Sequence, residues 1–180
     1  MNPTSLKKLQ TSAHVFWITG LSGAGKTTIG QLLYQHLLEN GVNTVFLDGD
    51  ILRNIFGSEL GHSFEDRQVA AFRNSRLCKF LSDQGICVVC STISLIHKCQ
   101  DWNHENINNY FECYLKVPMD ILQERDIKNI YLKAKKGELK NVVGVDIEAQ
   151  IPIHPNITIE NDGLTSPEII VNQIIEAISL

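Results

Sequence analysis

Apolar positions along the chain fall into two alternating patterns. Short continuous runs occur at Val15-Phe16-Trp17-Ile18, Thr44-Val45-Phe46-Leu47, Ile86-Cys87-Val88-Val89-Cys90, Phe111 to Val117 and Ile157-Thr158-Ile159. Their length and their β-branched and aromatic content are those of strands buried on both faces. Between them, Ile29, Leu32, Leu33 and Leu37 recur at helical spacing and stop at Asn40-Gly41, a glycine-ended helix. A long helix is predicted from about Glu65 to Asp83, ahead of Gly85, and Pro118 opens a short one that reaches Arg125. A closing helix runs from about Ser166 to Ile178, with Pro167 in its first turn. Strands that alternate with helices predict an α/β fold, a central parallel sheet of about five strands between two helical layers. The stretch from Ile127 to Gln150 is rich in Lys and Gly, has little apolar periodicity before Val142-Val143, and reads as a mobile lid. No repeat or low-complexity segment interrupts the pattern, so residues 1–180 are expected to form a single domain.

Composition narrows the partners. The chain is 43% hydrophobic and 20% charged, with a net charge of −4. At this length a fold buries roughly 70% of the surface of the unfolded chain, enough for a core without metal or disulfide staples. Interspersed charges with a small negative excess give no footprint for nucleic acid or an anionic membrane. No run approaches the ~20 apolar residues of a membrane span, and polar Met1–Ser12 lacks the apolar core of a secretory signal. A cytoplasmic location is expected. The five cysteines are odd in number, and Cys87 and Cys90, three apart in a strand, point to opposite faces. All five are expected to be core thiols.

The chemistry begins at Gly20-Leu21-Ser22-Gly23-Ala24-Gly25-Lys26-Thr27, which fits G-x-x-x-x-G-K-[ST] and lies between a predicted strand and a predicted helix. In such a loop backbone N–H groups wrap the β-phosphate, Lys26 reaches the β and γ oxygens, and Thr27, followed by Thr28, can ligate Mg²⁺. The loop and the strand–helix alternation together are read as a P-loop NTPase sandwich. The loop alone is shared by GTPases, ATPases and kinases. No N-K-x-D run is present to read guanine, and the chain has little room for partner-driven ATPase machinery, so a small kinase is favoured. Asp48 and Asp50 flank Gly49 at the carboxyl end of the second strand, where doubly wound sheets present ligand-binding groups. One carboxylate can hold the Mg²⁺ hydration shell while the other takes the proton of an attacking hydroxyl. Arg53 and Arg67, with Arg73 and Arg76 further on, point to an anionic acceptor.

These residues resemble the adenylylsulfate (APS) kinase family, which transfers the γ-phosphoryl group of ATP to the ribose 3′-hydroxyl of APS. The resemblance rests on W-I-T-G-L-S-G-A-G-K-T-T (Trp17–Thr28), L-D-G-D-x-x-R (Leu47–Arg53), L-G-x-S-x-E-D-R (Leu60–Arg67), R-D-x-K-x-x-Y-x-x-A-x-x-G (Arg125–Gly137) and G-V-D (Gly144–Asp146). It implies Asp50 as the base, Asp48 as an orienter of metal or hydroxyl, and Arg53 and Arg67 as ligands of the acceptor anion. It further implies a fold of the nucleoside-monophosphate-kinase type, Ser94 beside the third strand as a substrate contact, Lys140 as a lid lysine near the phosphates, Arg125 against the ATP base, and homodimer formation.

Departures from the family pattern cluster on the acceptor side. His62 and Val142 stand where the family has the two phenylalanines that sandwich adenine, Ala70 stands at the asparagine of its E-N-I-R-R run, and Leu95 ends the run Ser91-Thr92-Ile93-Ser94-Leu95. Stacking of a base on an aromatic is worth about 1–3 kcal/mol, so loss of the clamp weakens adenine binding by one or two orders of magnitude. Asn141–Asp146 and Asp101-Trp102-Asn103 resemble a branch that phosphorylates cytidine diphosphoramidate for bacterial capsule synthesis. That acceptor is favoured. Authentic APS kinase activity is the alternative, and a non-catalytic ATP-binding regulator is an alternative of another class.

Overall fold

The computed structural model describes residues 12–57, 59–126 and 128–178. Five strands, β1 (Val15–Thr19), β2 (Thr44–Asp48), β3 (Cys87–Thr92), β4 (Tyr110–Lys116) and β5 (Ile157–Glu160), form one parallel sheet in the order β2-β3-β1-β4-β5. The helices are α1 (Lys26–Glu39), α2 (Gly49–Ile55), α3 (Phe64–Ser82), α4 (His97–Asn106), α5 (Met119–Glu124), α6 (Ile130–Lys135) and α7 (Pro167–Ala177).

Central β1 shows why the apolar runs are continuous. All five of its residues are buried. Phe16 and Ile18 enter a core with Leu33 and Leu37 of α1 and Ile170 and Ile174 of α7. Val15 and Trp17 point the other way, into a core with Ala71 and Cys78 of α3 and Cys99 of α4. Three layers result, as expected. Cys87 belongs to the first core and Cys90 to the second, so the sheet separates the C-x-x-C pair, and all five cysteines are buried without a disulfide.

The helix ends follow local chemistry. Ser63 Oγ accepts from Asp66 N at 3.1 Å to start α3, and Ser166 Oγ accepts from Ile169 N at 3.5 Å to start α7. At Gly30 a Cβ would run into Ser91 Oγ and the Phe46 ring, so glycine lets α1 lie close on β2 and β3.

Three helices depart from the expectation. Residues 49–55 turn directly into α2 because the Asp48 carboxylate caps that helix, accepting from Asp50 N at 2.9 Å. Helix α4 buries Cys99, Gln100 and Asn103, a mostly polar face that apolar periodicity does not register. Within the stretch read as an irregular lid, α6 forms because Asp126 accepts from the Ile130 and Tyr131 N–H groups, each at 2.7 Å. Among the described residues no helix is long and apolar enough to cross a membrane.

Candidate active site

Strands β1 and β3 are neighbours from which the chain leaves in opposite directions, and a cleft of about 560 Å³ opens near their carboxyl ends. One wall is the loop that follows β1. Gly23 and Gly25 take left-handed φ angles of 77° and 87°, which turn the chain into α1 at little steric cost. Among the described residues no side chain caps α1, and Gly25, Lys26, Thr27 and Thr28 at its start line the cleft. The N-terminal N–H groups of such a helix favour an anion.

Lys26 Nζ donates to Leu21 O at 2.7 Å, folding back over its own loop. Burial pushes its pKa down from 10.5 to about 8 despite the opposing pull of Asp50 and Asp48. Ser91 Oγ anchors Lys26 O at 2.9 Å, and Asn161 Nδ2 anchors Ala24 O at 2.9 Å. Gly20 and Ala24, expected among the phosphate-binding residues, are buried behind the wall, and the Ala24 N–H donates to Leu21 O. Ser22, Gly23, Gly25, Lys26, Thr27 and Thr28 face the cleft. So does Arg125, whose Nη1 donates to Asn161 O at 3.1 Å beside the loop after β5.

The two aspartates diverge in environment. Asp48 is buried, and besides capping α2 it accepts from Thr27 Oγ1 at 2.8 Å, which joins the end of β2 to the start of α1. Asp50 is exposed, and its Oδ2 accepts from Lys128 Nζ at 2.7 Å. The Lys128 ammonium holds the Asp50 pKa below the ordinary carboxylate range.

Opposite the loop, the start of α3 meets the 139–148 segment. Arg67 connects them, donating from Nε to His62 O at 3.0 Å and from Nη2 to Asn141 O at 2.7 Å. The Asp146 carboxylate accepts from the N–H groups of Asn141 and Val142, fixing the turn that presents Val142. His62 and Val142 both line the cleft, Val142 only 5% exposed and packed into the first core. Arg53 Nη1 donates to Leu60 O at 2.8 Å and Gly61 O at 2.9 Å, bracing the loop ahead of His62. Among the described residues neither guanidinium makes an ion pair, and each keeps N–H donors unspent. Burial and the neighbouring Arg53 and Arg67 charges lower the His62 pKa. Ser94, which shares a hydrogen bond with Thr92 Oγ1 at 2.9 Å, and exposed Lys140 also line the cleft. Trp102, His97 and His104 do not.

Two site residues were missed although their motif was in view. Lys128 and Tyr131 occupy fixed places in the R-D-x-K-x-x-Y run, and Tyr131 Oη donates to Ser22 O at 2.8 Å, pinning α6 to the phosphate loop. That spacing was the available signal. Asn74, a buried polar residue of α3 that also lines the cleft, was missed because only its place on the helix face marks it out.

A parallel three-layer sandwich with this glycine loop, and two aspartates at the end of β2 beside it, defines a P-loop kinase. Comparison with known proteins gives the family. The family model described as Adenylylsulphate kinase matches residues 12–160. The "Cytidine diphosphoramidate kinase" of Campylobacter jejuni is 41% identical over 96% of this chain and 100% of its own length. The "Adenylyl-sulfate kinase" of Halothermothrix orenii is 37% identical over 84% of this chain and 82% of its own. Among solved structures, the Mycobacterium tuberculosis APS kinase in complex with AMPPNP and APS superposes with a TM-score of 0.86 at 29% identity, covering 94% of this chain and 99% of that one. This chain belongs to the adenylylsulfate kinase family and is a phosphotransferase.

Proposed function

We propose that the protein uses ATP and Mg²⁺ to phosphorylate the ribose 3′-hydroxyl of cytidine diphosphoramidate. The observation that carries the acceptor assignment is that His62 and Val142 both line the cleft, an imidazole and an isopropyl group rather than two phenylalanine rings. A pyrimidine ring fits against two such small walls, whereas adenine gains most from an aromatic sandwich. The relative with that printed activity matches along its whole length, which supports the same reading.

The residues then divide the work. Ser22, Gly23, Gly25 and Lys26 receive the ATP phosphates, with Lys26 exchanging its Leu21 carbonyl for phosphate oxygens, and Arg125 lies against the ATP base. Thr27 and Asp48 offer a hydroxyl and a carboxylate, the oxygen donors a hard divalent cation takes, and would hold magnesium, Asp48 through water. When bound, magnesium neutralises charge on the transferring phosphoryl group. Asp50 is the base. Its Oδ2 is held by Lys128, and its Oδ1 is open to the 3′-hydroxyl. Because Lys128 keeps Asp50 ionised, it accepts the proton late, as the new P–O bond forms. Arg53, Arg67 and Ser94 take the acceptor's anionic tail with the donors their backbone contacts leave unspent, and Lys140 approaches the phosphates from the 139–148 segment. Tyr131 ties α6 to the phosphate loop, which helps exclude water from the reacting phosphate.

The test is turnover of cytidine diphosphoramidate and APS in parallel with Mg²⁺-ATP, following ADP release and identifying products by mass. Preferential 3′-phosphorylation of the cytidine compound is expected, and preferential turnover of APS would overturn the assignment.

A further inference from the structure

Four buried polar residues line the cleft: Asp48, Asn74, Ser91 and Thr92. Three are partnered within the protein, Asp48 by Thr27 and the α2 N-terminus, Ser91 by Lys26 O, and Thr92 by Ser94. Asn74 is not. It is only 6% exposed, yet its carboxamide makes no hydrogen bond to any described residue, and neither of its polar atoms is sealed from the cleft. An amide that is nine-tenths buried, unpartnered in the protein and open on a cavity is placed to receive a ligand.

Its position says which part of the ligand. Asn74 lies two turns beyond Arg67 and one turn beyond Ala70 on α3, all three on the face that borders the cleft. His62 precedes the Ser63 cap, so a base held between His62 and Val142 sits at the start of the helix. Asn74 lies about 15 Å further along the axis, in the same cleft as Thr92 at the end of β3. A nucleotide that enters base-outward directs its 5′ tail there, past Arg67 and over the small Ala70 side chain.

We infer that Asn74 is the residue that recognises the terminal phosphoramidate of the acceptor, with Oδ1 accepting from the P–NH₂ group and Nδ2 donating to a phosphoryl oxygen. A carboxamide offers an NH₂ donor group and a carbonyl acceptor, and a phosphoramidate end presents the complementary pair. A sulfate or phosphate end presents oxygens alone and sets a lone pair against Oδ1. Asn74 would therefore select the amino-bearing acceptor over its oxygen analogues. This inference rests on the acceptor assignment made above.

The test compares kcat/KM for cytidine diphosphoramidate with that for CDP, in which oxygen replaces the amino group, and with that for APS. The wild type is expected to prefer the amino compound. In Asn74→Leu and Asn74→Ala the preference over CDP should fall about tenfold, the worth of one discriminating hydrogen bond. Asn74→Asp keeps the shape and the acceptor but loses the donor, so both substrates should weaken while the preference is held or rises. Melting temperatures identify which variants are folded, and the aspartate variant, being isosteric, remains informative if the apolar ones are not. An unchanged preference in folded Leu and Ala variants, or a lost preference in the Asp variant, would overturn the role of Asn74 and leave the proposed function standing. A wild type that prefers APS would overturn the acceptor assignment, and the role of Asn74 with it.

Discussion

Lys128 Nζ and Asp50 Oδ2 lie 2.7 Å apart, which joins the segment between α5 and α6 to the first turn of α2 at the cleft. Both side chains are largely exposed, so the pair adds at most about 1 kcal/mol to stability. Its weight falls on the titration of Asp50. Replacement of Lys128 by alanine removes the largest influence that lowers the Asp50 pKa. The acid limb of the pH profile of kcat/KM should then move to higher pH while the melting temperature changes little. An acid limb that stays in place in Lys128→Ala would separate Asp50 from the observed titration.

Asp50→Asn tests the base directly. The amide preserves size and cannot take a proton, so kcat should fall by about 10²-fold or more, with a smaller change in the acceptor KM. Retention of most of the wild-type kcat would remove Asp50 from the proton transfer.

Tyr131→Phe deletes the hydroxyl that donates to Ser22 O at 2.8 Å and leaves that carbonyl unpaired. Loss of one such bond is worth about 1 kcal/mol, so the KM for ATP should rise about fivefold. Hydrolysis of ATP without acceptor should also increase. Steady-state kinetics and an acceptor-free ADP assay measure both, and no change in either would sever α6 from the loop.

Gly30→Ala sets two effects of opposite sign against each other. Alanine favours a helix interior by about 1 kcal/mol. Against it, the added Cβ meets Ser91 Oγ and the Phe46 ring at a close α1–sheet contact, and overpacking costs about 1–3 kcal/mol. The clash should prevail, lowering the urea midpoint.

Lys26 gives the unliganded protein a pH-dependent stability. Its folded pKa, about 8, lies below the ordinary 10.5, because burial disfavours the ammonium. Between those values the unfolded chain binds more protons than the folded one, so this residue's contribution to stability rises with pH. Below about pH 8 its destabilising effect is fully present. The stability of the wild type relative to Lys26→Met should therefore increase from pH 8 to pH 10 in urea titrations. A constant difference would mean that the ammonium is solvated rather than buried.

The sequence by itself determined the strand–helix alternation, because buried strands need unbroken apolar runs and packed helices need a stripe. It also determined the phosphate loop, whose left-handed turns at Gly23 and Gly25 are local demands on glycine. Asp48, Asp50, Arg53, Arg67, His62 and Val142 were legible as a set because motif spacing follows the same elements that bring them to one cleft. Helices α4 and α6 were not legible. The first buries polar side chains, and the second is held by a carboxylate cap and one tyrosine, neither of which leaves an apolar period. Only the tertiary structure decided the partnerships across the cleft. It gave Asp48 a capping role beside its contact with Thr27, paired Lys128 with Asp50 across 78 positions of chain, and left Asn74 without a partner among the described residues. Such contacts depend on how the sheet order and helix packing bring distant segments within a few ångströms. No local pattern of residues encodes that proximity.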